Sequence, residues 1–289
     1  MNKNTACVTG CYILWGILPV FWKLMDMLPP FYILANRILW SFVFYSLILL
    51  VLGKWKEIRA VFSDWKQAGL MAVCGAVITV NWGSYIWAVN SGNIVESSLA
   101  YYLSPILSVG AAALVLKEKV SRREWFAMGI AALGVAVPVI RYGRFPGLTL
   151  LIGGSFVAYG VLKKKITCGY LTSLFVESLV MVPFSIFYII YSGRTGIGGA
   201  AMGGAQYLLL PLSGAITAVP LLLFSKGAAK IPYSLTGILM YINPTLQLII
   251  GVALYGEKIS AENFIMLIFV WIALAVFLTG KQKAVKTAR

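Results

Sequence analysis

Histidine is absent from this chain of 289 residues, and acidic residues are scarce, with nine Asp and Glu against 24 Lys and Arg. Histidine is the commonest metal ligand and the commonest general base near neutral pH. An enzyme would also need clustered nucleophiles, bases or metal ligands, and paired acidic residues are missing as well. We therefore expect no catalytic residue, no bound metal and no cofactor.

Cysteine and charged residues are rare too. The four cysteines lie in or beside apolar runs without a second cluster of ligands, so we expect neither a disulfide nor a metal site. Charged residues make up 11% of the chain and hydrophobic residues 60%. A soluble domain carries about 25% charged residues. Most of this chain is therefore expected to face lipid or other helices.

Hydropathy divides the chain into ten apolar segments, each close to the ~20 residues that cross a bilayer as a helix. The segments run roughly over 5–24, 32–52, 68–89, 95–116, 124–140, 147–162, 170–191, 206–225, 233–255 and 262–280. The sequence therefore predicts an all-α integral membrane protein with ten transmembrane helices. No connection between them is long enough for a soluble catalytic or regulatory domain.

Positive charge is distributed unevenly between the two sides of the membrane. Eighteen Lys and Arg residues fall at the two termini and in the even-numbered loops, and only four fall in the opposite loops. These four are Arg141, Arg144, Arg194 and Lys258. Loops rich in Lys and Arg stay in the cytoplasm. We predict that both termini are cytoplasmic, and that the net charge of +15 reflects topology and not nucleic-acid binding.

Residues 98–121 and 237–260 are two copies of one segment. The first reads SLAYYLSPILSVGAAALVLKEKVS and the second reads GILMYINPTLQLIIGVALYGEKIS, with their prolines aligned. Internal repeats of this kind are typical of membrane transporters. Because each half holds five spans, an odd number, the second copy enters the membrane inverted. We predict two five-helix repeats, 1–143 and 144–289, which form the two halves of an alternating-access transporter.

Five ionisable side chains fall inside or beside the predicted spans, where a charge is costly and indicates function by default. One of them, Lys226, ends the eighth span at the cytoplasmic face and, like Lys23, either has a functional role or extends to the membrane interface. Lys23 and Arg37 lie near the outer ends of the first and second spans. Lys23 either contacts a solute or extends to the membrane interface. Arg37 and Glu96 form either a structural ion pair or an outer gate. Glu177, which has no cation at helical spacing, either couples transport to protons or bonds to a neighbouring helix.

Polar and aromatic side chains near the repeated prolines form a second set of candidates. A proline inside a span frees a backbone carbonyl and bends the helix, which suits the wall of a cavity. The candidates either line a central cavity or pack between helices. They are Asn81, Tyr85 and Asn90 in the third span, Tyr101, Tyr102 and Pro105 in the fourth, and Tyr241, Asn243 and Pro244 in the ninth.

Tryptophan adds further aromatic surface. The tryptophans near the span ends are interpreted as anchors at the membrane interface. The five tryptophans that add this aromatic surface are Trp15, Trp22, Trp40, Trp82 and Trp87.

The chain resembles the RarD branch of the EamA transporters, in the drug/metabolite transporter superfamily. The resemblance covers nearly the whole chain and is specific in the runs FWK (21–23), RILWS (37–41), NWGSYIWAVN (81–90), ESSL (96–99) and PLLLF (220–224). It implies a ten-helix protein of the bacterial inner membrane with a central cavity, of the kind described as a chloramphenicol-sensitive permease.

The same resemblance indicates which residues of this chain match the characteristic residues of the family. By position it carries over Lys23, Arg37, Trp40, Asn81, Trp82, Trp87, Asn90 and Glu96. The chain departs from the family at Ala100 and Ser104, where similar sequences often carry glycine and asparagine. A different cavity shape is therefore expected.

These features predict a secondary transporter that exports a metabolite or drug by alternating access. No GxxxxGK[ST] phosphate loop occurs, which argues against ATP as the energy source. The solute is expected between spans three, four, eight and nine, with proton or solute counter-transport. The expected partners are thus a small-molecule solute and the lipid bilayer, and not nucleic acid. Two alternatives stay open: uptake of amino-acid-like or nucleotide-like metabolites, and a receptor or scaffold that transports nothing.

Overall fold

The structure is a computed structural model that describes residues 2–90, 94–143, 147–196, 207–256 and 258–287. Side chains are described in these ranges except at 55, 89, 90, 94–97, 142 and 278–287. The described chain forms α-helices and one short 3-10 helix, Lys23–Met25, and contains no strand. The α-helices are α1 (Lys3–Trp22), α2 (Pro30–Val51), α3 (Trp55–Ser63), α4 (Trp65–Asn90), α5 (Ile94–Leu114), α6 (Arg122–Tyr142), α7 (Gly147–Lys165), α8 (Tyr170–Arg194), α9 (Leu209–Ala228), α10 (Tyr233–Leu239), α11 (Ile242–Tyr255) and α12 (Ala261–Thr287).

The all-α membrane fold predicted from hydropathy is confirmed. Seven spans of the described chain are long and apolar enough to cross a bilayer. They are formed by α1, α2, α4, α6, α8, α9 and the consecutive pair α10 and α11. Helices α5, α7 and α12 lie at the positions of the other three predicted spans. The total of ten therefore stays a prediction for these three.

The ninth predicted span consists of two helices. Met240 and Tyr241 separate α10 from α11. Pro244 has no N–H, so it gives no α-helical hydrogen bond to the backbone oxygen of Met240, four residues earlier. The interruption therefore lies where a proline is expected to disturb a helix. Pro105, its counterpart, lies inside the continuous helix α5. The second proline thus marks a break in its span, and a matching bend at the first stays a prediction.

Helix α3 occupies the second predicted loop and was not expected from hydropathy. It is amphipathic, with Ile58 and Val61 buried on one face. Its Glu57 accepts hydrogen bonds from Lys54 Nζ (2.9 Å) and from Thr172 Oγ1 of α8 (3.0 Å). These two hydrogen bonds, the one from Lys54 first, lower the pKa of Glu57 from its ordinary value. The surface helix is thereby attached to the start of α8.

The most extensive contacts between helices occur in matched pairs. The contact of α1 with α9 corresponds to that of α7 with α4. The contact of α5 with α7 corresponds to that of α11 with α1, and the contact of α2 with α9 corresponds to that of α8 with α4. Three further contacts join α2 with α8, α5 with α10, and α6 with α12. Two five-helix halves related by a pseudo-twofold axis are expected to pack in this way. The pattern supports the division into 1–143 and 144–289, which stays a prediction.

Glycines allow close approach of helix backbones in this bundle. At Gly75 of α4, a Cβ would overlap the backbone carbonyl of Glu177 on α8. At Gly214 of α9, a Cβ would overlap the backbone of Trp40 on α2. Gly83, about two turns further along α4, faces open space. The contact between α4 and α8 thus requires that position 75 carries no side chain.

Gly75→Ala is expected to destabilise the protein, because the added methyl group forces α4 away from α8. Overpacking of this kind costs about 1 to 3 kcal/mol. Gly83→Ala is the matched control in the same helix, since it gains the same helix propensity of about 1 kcal/mol without a clash. Melting temperatures in detergent micelles provide the measurement. A melting temperature for Gly75→Ala equal to or above that of Gly83→Ala would contradict this packing.

Candidate functional site

A cavity of about 520 Å³ lies between the two halves of the chain. Its walls come from α1, α2, α4 and α5 of the first half and from α7 and α11 of the second. Small-molecule sites usually measure about 300 to 1,000 Å³ and combine apolar walls with a few polar groups. The size and the shared walls make this cavity the candidate solute site.

One face of α1 forms a large part of the wall. Trp15, Leu18, Pro19 and Trp22 all line the cavity. Their spacing of three, four and seven residues puts them on a single helix face. The neighbouring Ile17 is absent from the lining and is 47% exposed. Helix α1 therefore has one face toward the cavity and another toward the surroundings of the bundle.

The cavity opens at the end of the bundle where α1 ends and α2 begins. Lys23 and Asp26 lie at this rim, with Nζ and Oδ2 3.1 Å apart. Their side chains are 61% and 55% exposed. Solvent screens such a pair, so it contributes little to stability. The two charges offset each other at the entrance.

Arg37 is held in the cavity wall by aromatic and polar contacts. Its Cζ atom lies 4.4 Å from the centroid of the Trp22 ring and 4.9 Å from that of the Trp82 ring. Its Nε donates a hydrogen bond of 3.0 Å to Thr217 Oγ1 on α9. Each cation–π contact contributes roughly 0.5 to 2 kcal/mol. Together these contacts join four helices around one charge and fix the orientation of the guanidinium group.

Side-chain amides connect the walls of the cavity. Asn81 Nδ2 donates a hydrogen bond of 2.6 Å to the backbone oxygen of Ile152, which ties α4 to α7. Gln247 Nε2 donates a hydrogen bond of 2.8 Å to Asn243 Oδ1 within α11. All four residues line the cavity. The amides therefore position the walls and leave part of their hydrogen-bonding capacity for a solute.

Aromatic rings close the inner part of the cavity. The rings of Tyr85 and Tyr101 meet edge to face, with centroids 5.5 Å apart. Trp15 and Phe156 line the cavity, and their ring centroids lie 5.9 Å and 5.8 Å from that of the buried Phe224. This aromatic cluster separates the cavity from the opposite end of the bundle.

A buried ion pair lies toward that opposite end. Lys163 Nζ is 2.6 Å from Glu177 Oε1, and the two side chains are 5% and 4% exposed. Lys163 also donates to Ser173 Oγ at 2.7 Å, and Tyr159 OH donates to Glu177 Oε2 at 3.0 Å. Ser173 Oγ donates to the same carboxylate. Side chains of α7 and α8 thus satisfy one another away from water.

This network bears on two expectations from the sequence. Glu177 bonds to a neighbouring helix, as one of its two alternatives stated, and its cationic partner lies on that helix. Lys163 follows the predicted span 147–162 and was therefore expected in a cytoplasmic loop, whereas it is buried in the last turn of α7. Hydropathy assigns a run of three lysines to a loop because it does not detect that one of them reaches a buried carboxylate.

Glu118, in the connection after α5, holds the same end of the bundle. Its carboxylate accepts hydrogen bonds from the backbone N–H groups of Tyr233 (2.8 Å) and Ser234 (3.2 Å) at the start of α10. A carboxylate satisfies the free N–H groups of a helix start and interacts favourably with the helix dipole. Lys164 Nζ lies 4.0 Å from Glu118 and donates to the backbone oxygen of Ile231. Glu118, which lies in the first repeat copy, thus caps a helix of the second half.

Known proteins are similar to this chain in sequence and in fold. The sequence profile of the EamA-like transporter family matches residues 6–140. The uncharacterized transporter YojE of Bacillus subtilis is 40% identical over 288 residues, which cover 98% of this chain and 95% of the relative. The protein RarD of Streptomyces exfoliatus is 39% identical and the match covers 97% and 88% of the two chains. The chain belongs to the EamA-like transporter family.

Similarity to proteins named RarD also confirms the RarD branch of the EamA family that the motifs indicate. A solved crystal structure that is 18% identical superposes with a TM-score of 0.71, over 95% of this chain and 97% of the other. That likeness shows the fold alone. The apolar helices and the bacterial relatives make this EamA transporter a multi-pass membrane protein.

The structure brings some predicted site residues of this EamA transporter together and separates others. Those in the cavity wall are Lys23, Arg37, Asn81, Tyr85, Tyr101 and Asn243. Those outside the wall are Trp40, Tyr102, Pro105, Glu177, Tyr241 and Pro244. The side chains of Asn90 and Glu96 lie outside the described residues, and so does the predicted pair of Arg37 with Glu96. Contact with a solute stays a prediction for the first group.

The residues outside the wall pack between helices. Trp40 packs beside Met25 and Leu28. Tyr241 is buried, and its hydroxyl donates a hydrogen bond of 3.3 Å to the backbone oxygen of Tyr102. Tyr102 and Tyr241 occupy equivalent positions in the two repeat copies, so this hydrogen bond joins the copies at matching residues.

The walls of the cavity also differ from the sequence prediction. The eighth span, α9, contributes none of the described lining residues, whereas the first, second and sixth spans do. Trp22 was interpreted as an interface anchor and Trp82 was selected only through the family resemblance, whereas both contact Arg37. A signal for Trp22 was present, because it continues the helical stripe that begins at Trp15.

Lys163→Met and Glu177→Gln are each expected to destabilise the protein, because each leaves the other partner buried without its counterpart. Breaking a buried pair in this way costs about 3 to 5 kcal/mol. The double variant should lose much less stability than the sum of the two, since no unpaired charge remains. Unfolding of the four proteins in detergent provides a double-mutant cycle. Additive losses would show that the two side chains do not interact.

Proposed function

We propose that this EamA transporter is a secondary transporter that exports a small organic solute through the cavity by alternating access. The observation that carries the proposal is the cavity of about 520 Å³, which opens at one end of the bundle and ends inside it on packed aromatic rings. A channel would instead need a continuous polar path. Export is the direction predicted from the sequence, and it forms part of this proposal.

The predicted topology relates the cavity to the two sides of the membrane. It puts the lysine-rich end of α7 in the cytoplasm and the rim at Lys23 and Asp26 outside. On that topology, the described conformation corresponds to an outward-open state. The opposite state then requires that the rim closes while the end near Glu118 and Glu177 opens.

We infer that two contacts at the closed end form an inner gate. Glu118 holds the start of α10, and Lys163 joins α7 to Glu177 on α8. Opening this end would hydrate the separated charges, which offsets the loss of their contacts. A half-separated pair that is still buried is costly. Such a gate therefore favours a fully closed or a fully open state.

We infer that Glu177 also carries the proton that drives export. A second cavity, of about 30 Å³, lies beside Glu177 and is lined by Tyr45 and Trp82. A cavity of this size holds a water molecule. Trp82 lines both cavities, so one side chain separates the solute cavity from the water-sized one. Protonation of Glu177 would remove the counter-charge of Lys163 and weaken the closed end.

Leu18→Trp is expected to block transport, because the larger side chain fills the solute cavity from the inner face of α1. Ile17→Trp is the matched control, since its side chain lies on the same helix but outside the lining. The measurement is flux of a panel of metabolites and drugs in proteoliposomes, with about a tenfold loss expected for Leu18→Trp alone. Flux unchanged in Leu18→Trp would rule out the cavity as the path. No flux of any solute in the wild type would favour a receptor or scaffold.

Glu177→Gln is expected to abolish transport driven by a pH gradient while solute exchange without a gradient continues, because glutamine cannot bind and release a proton. Glu262→Gln makes the same substitution at a partly exposed site that lines neither cavity, and it should keep the response to the gradient. Both variants are compared in proteoliposomes with and without an imposed pH gradient. Normal gradient-driven flux in Glu177→Gln would leave this carboxylate with a purely structural role.

A further inference from the structure

We propose that the cavity selects a planar aromatic solute that carries a single negative charge, and that Arg37 binds that charge. The inference rests on the proposed transport function, because it names the chemical class that the same cavity carries. It follows from the charge, the hydrogen-bond donors and the rings of the wall.

The described wall of the cavity has one positive charge without a counter-charge. Lys23 and Asp26 pair with each other at the rim, 3.1 Å apart. Arg37 lies in the wall between helices, and no described carboxylate forms an ion pair with it within 4.0 Å. A charge inside a membrane span is costly and usually serves a bound partner. An anion that enters the cavity supplies this partner.

The guanidinium group of Arg37 is oriented for such an anion. It carries five N–H donors in one plane. Thr217 accepts from its Nε, and contacts with the Trp22 and Trp82 rings hold it in place. Its Nη atoms donate to no acceptor among the described residues. Two parallel N–H groups match the two oxygens of a carboxylate, so the unoccupied Nη groups are well placed to donate hydrogen bonds to a carboxylate.

The remaining wall suits a planar and uncharged body. Aromatic rings line it, among them Trp15 and Phe156, and such rings stack well on other rings. Ring faces also attract cations. Here, however, Arg37 already lies against the rings of Trp22 and Trp82 and repels a second cation. A solute with an aromatic body and one carboxylate fits both parts of the wall.

Three probes with one ring system test this charge preference. They are 2-naphthylacetate, 2-naphthylacetamide and 2-(2-naphthyl)ethylamine, which are anionic, neutral and cationic at neutral pH. Isothermal titration calorimetry on the purified protein in detergent should give at least about tenfold tighter binding for the acetate than for the amide. The amine should bind most weakly. Equal affinities, tighter binding of the amine, or no binding of the acetate would overturn the proposal.

Variants connect the preference to Arg37. In Arg37→Gln, the affinity for the acetate should fall to that for the amide, while the affinity for the amide changes less than about twofold. Arg37→Lys keeps a charge without the planar fork and should retain an intermediate preference. Arg141→Gln removes an exposed arginine outside the cavity and should keep the full preference. Loss of the preference in Arg141→Gln as well would overturn the assignment to Arg37.

Two further results separate the possible failures. If Glu96 neutralises Arg37, the wild type shows no preference and Glu96→Gln creates one, which overturns the proposal for the native protein. Flux of the same probes in proteoliposomes tests the transport function independently. Preferential binding of the acetate without flux of any probe upholds the charge preference and contradicts transport. Equal flux of all three probes upholds transport and overturns the charge preference.

Discussion

Lipid offers no hydrogen bonds, so each polar group within a span has to find its partner inside the protein. In the described part of the chain, the buried side-chain polar atoms without a partner are those of Thr9, Ser192 and Ser225. Two charged groups within the spans, Arg37 and Glu177, are both bonded across helix interfaces. The partner of Arg37 lies on α9, far away in sequence, and the partner of Glu177 lies on the preceding helix, α7. The need to satisfy these charges therefore fixes how the helices are arranged around the cavity.

The same constraint explains why the two ends of the bundle are built differently. Water reaches Lys23 and Asp26 at the rim, so these charges need little help from the protein. Lys163 and Glu177 are buried away from bulk solvent and bond to each other and to two hydroxyl groups. In the proposed alternating-access mechanism, the exchange of states would therefore hydrate one end of the bundle and dehydrate the other. The ion pairs at the two ends would then respond in opposite ways.

Hydropathy predicted the helices well, because about 20 apolar residues are needed to cross lipid whatever the packing. The errors concern residues whose partners are determined by which helices lie next to each other in three dimensions. Lys163 resembles a loop residue in sequence, yet it reaches a carboxylate on the next helix. Arg37 and Gln247 share one cavity although no local pattern relates them. The stripe from Trp15 to Trp22 was accessible to periodicity, because it lies within one helix.

Glu118 makes the two halves of the chain depend on each other for folding. Its carboxylate, in the first half, satisfies the free N–H groups of Tyr233 and Ser234 in the second. Tyr241 bonds back to the first half through the backbone of Tyr102. A chain cut between the halves would leave α10 with an uncapped, buried start. We therefore expect that neither half is stable when synthesised alone. The two halves should associate into the folded protein when they are synthesised together.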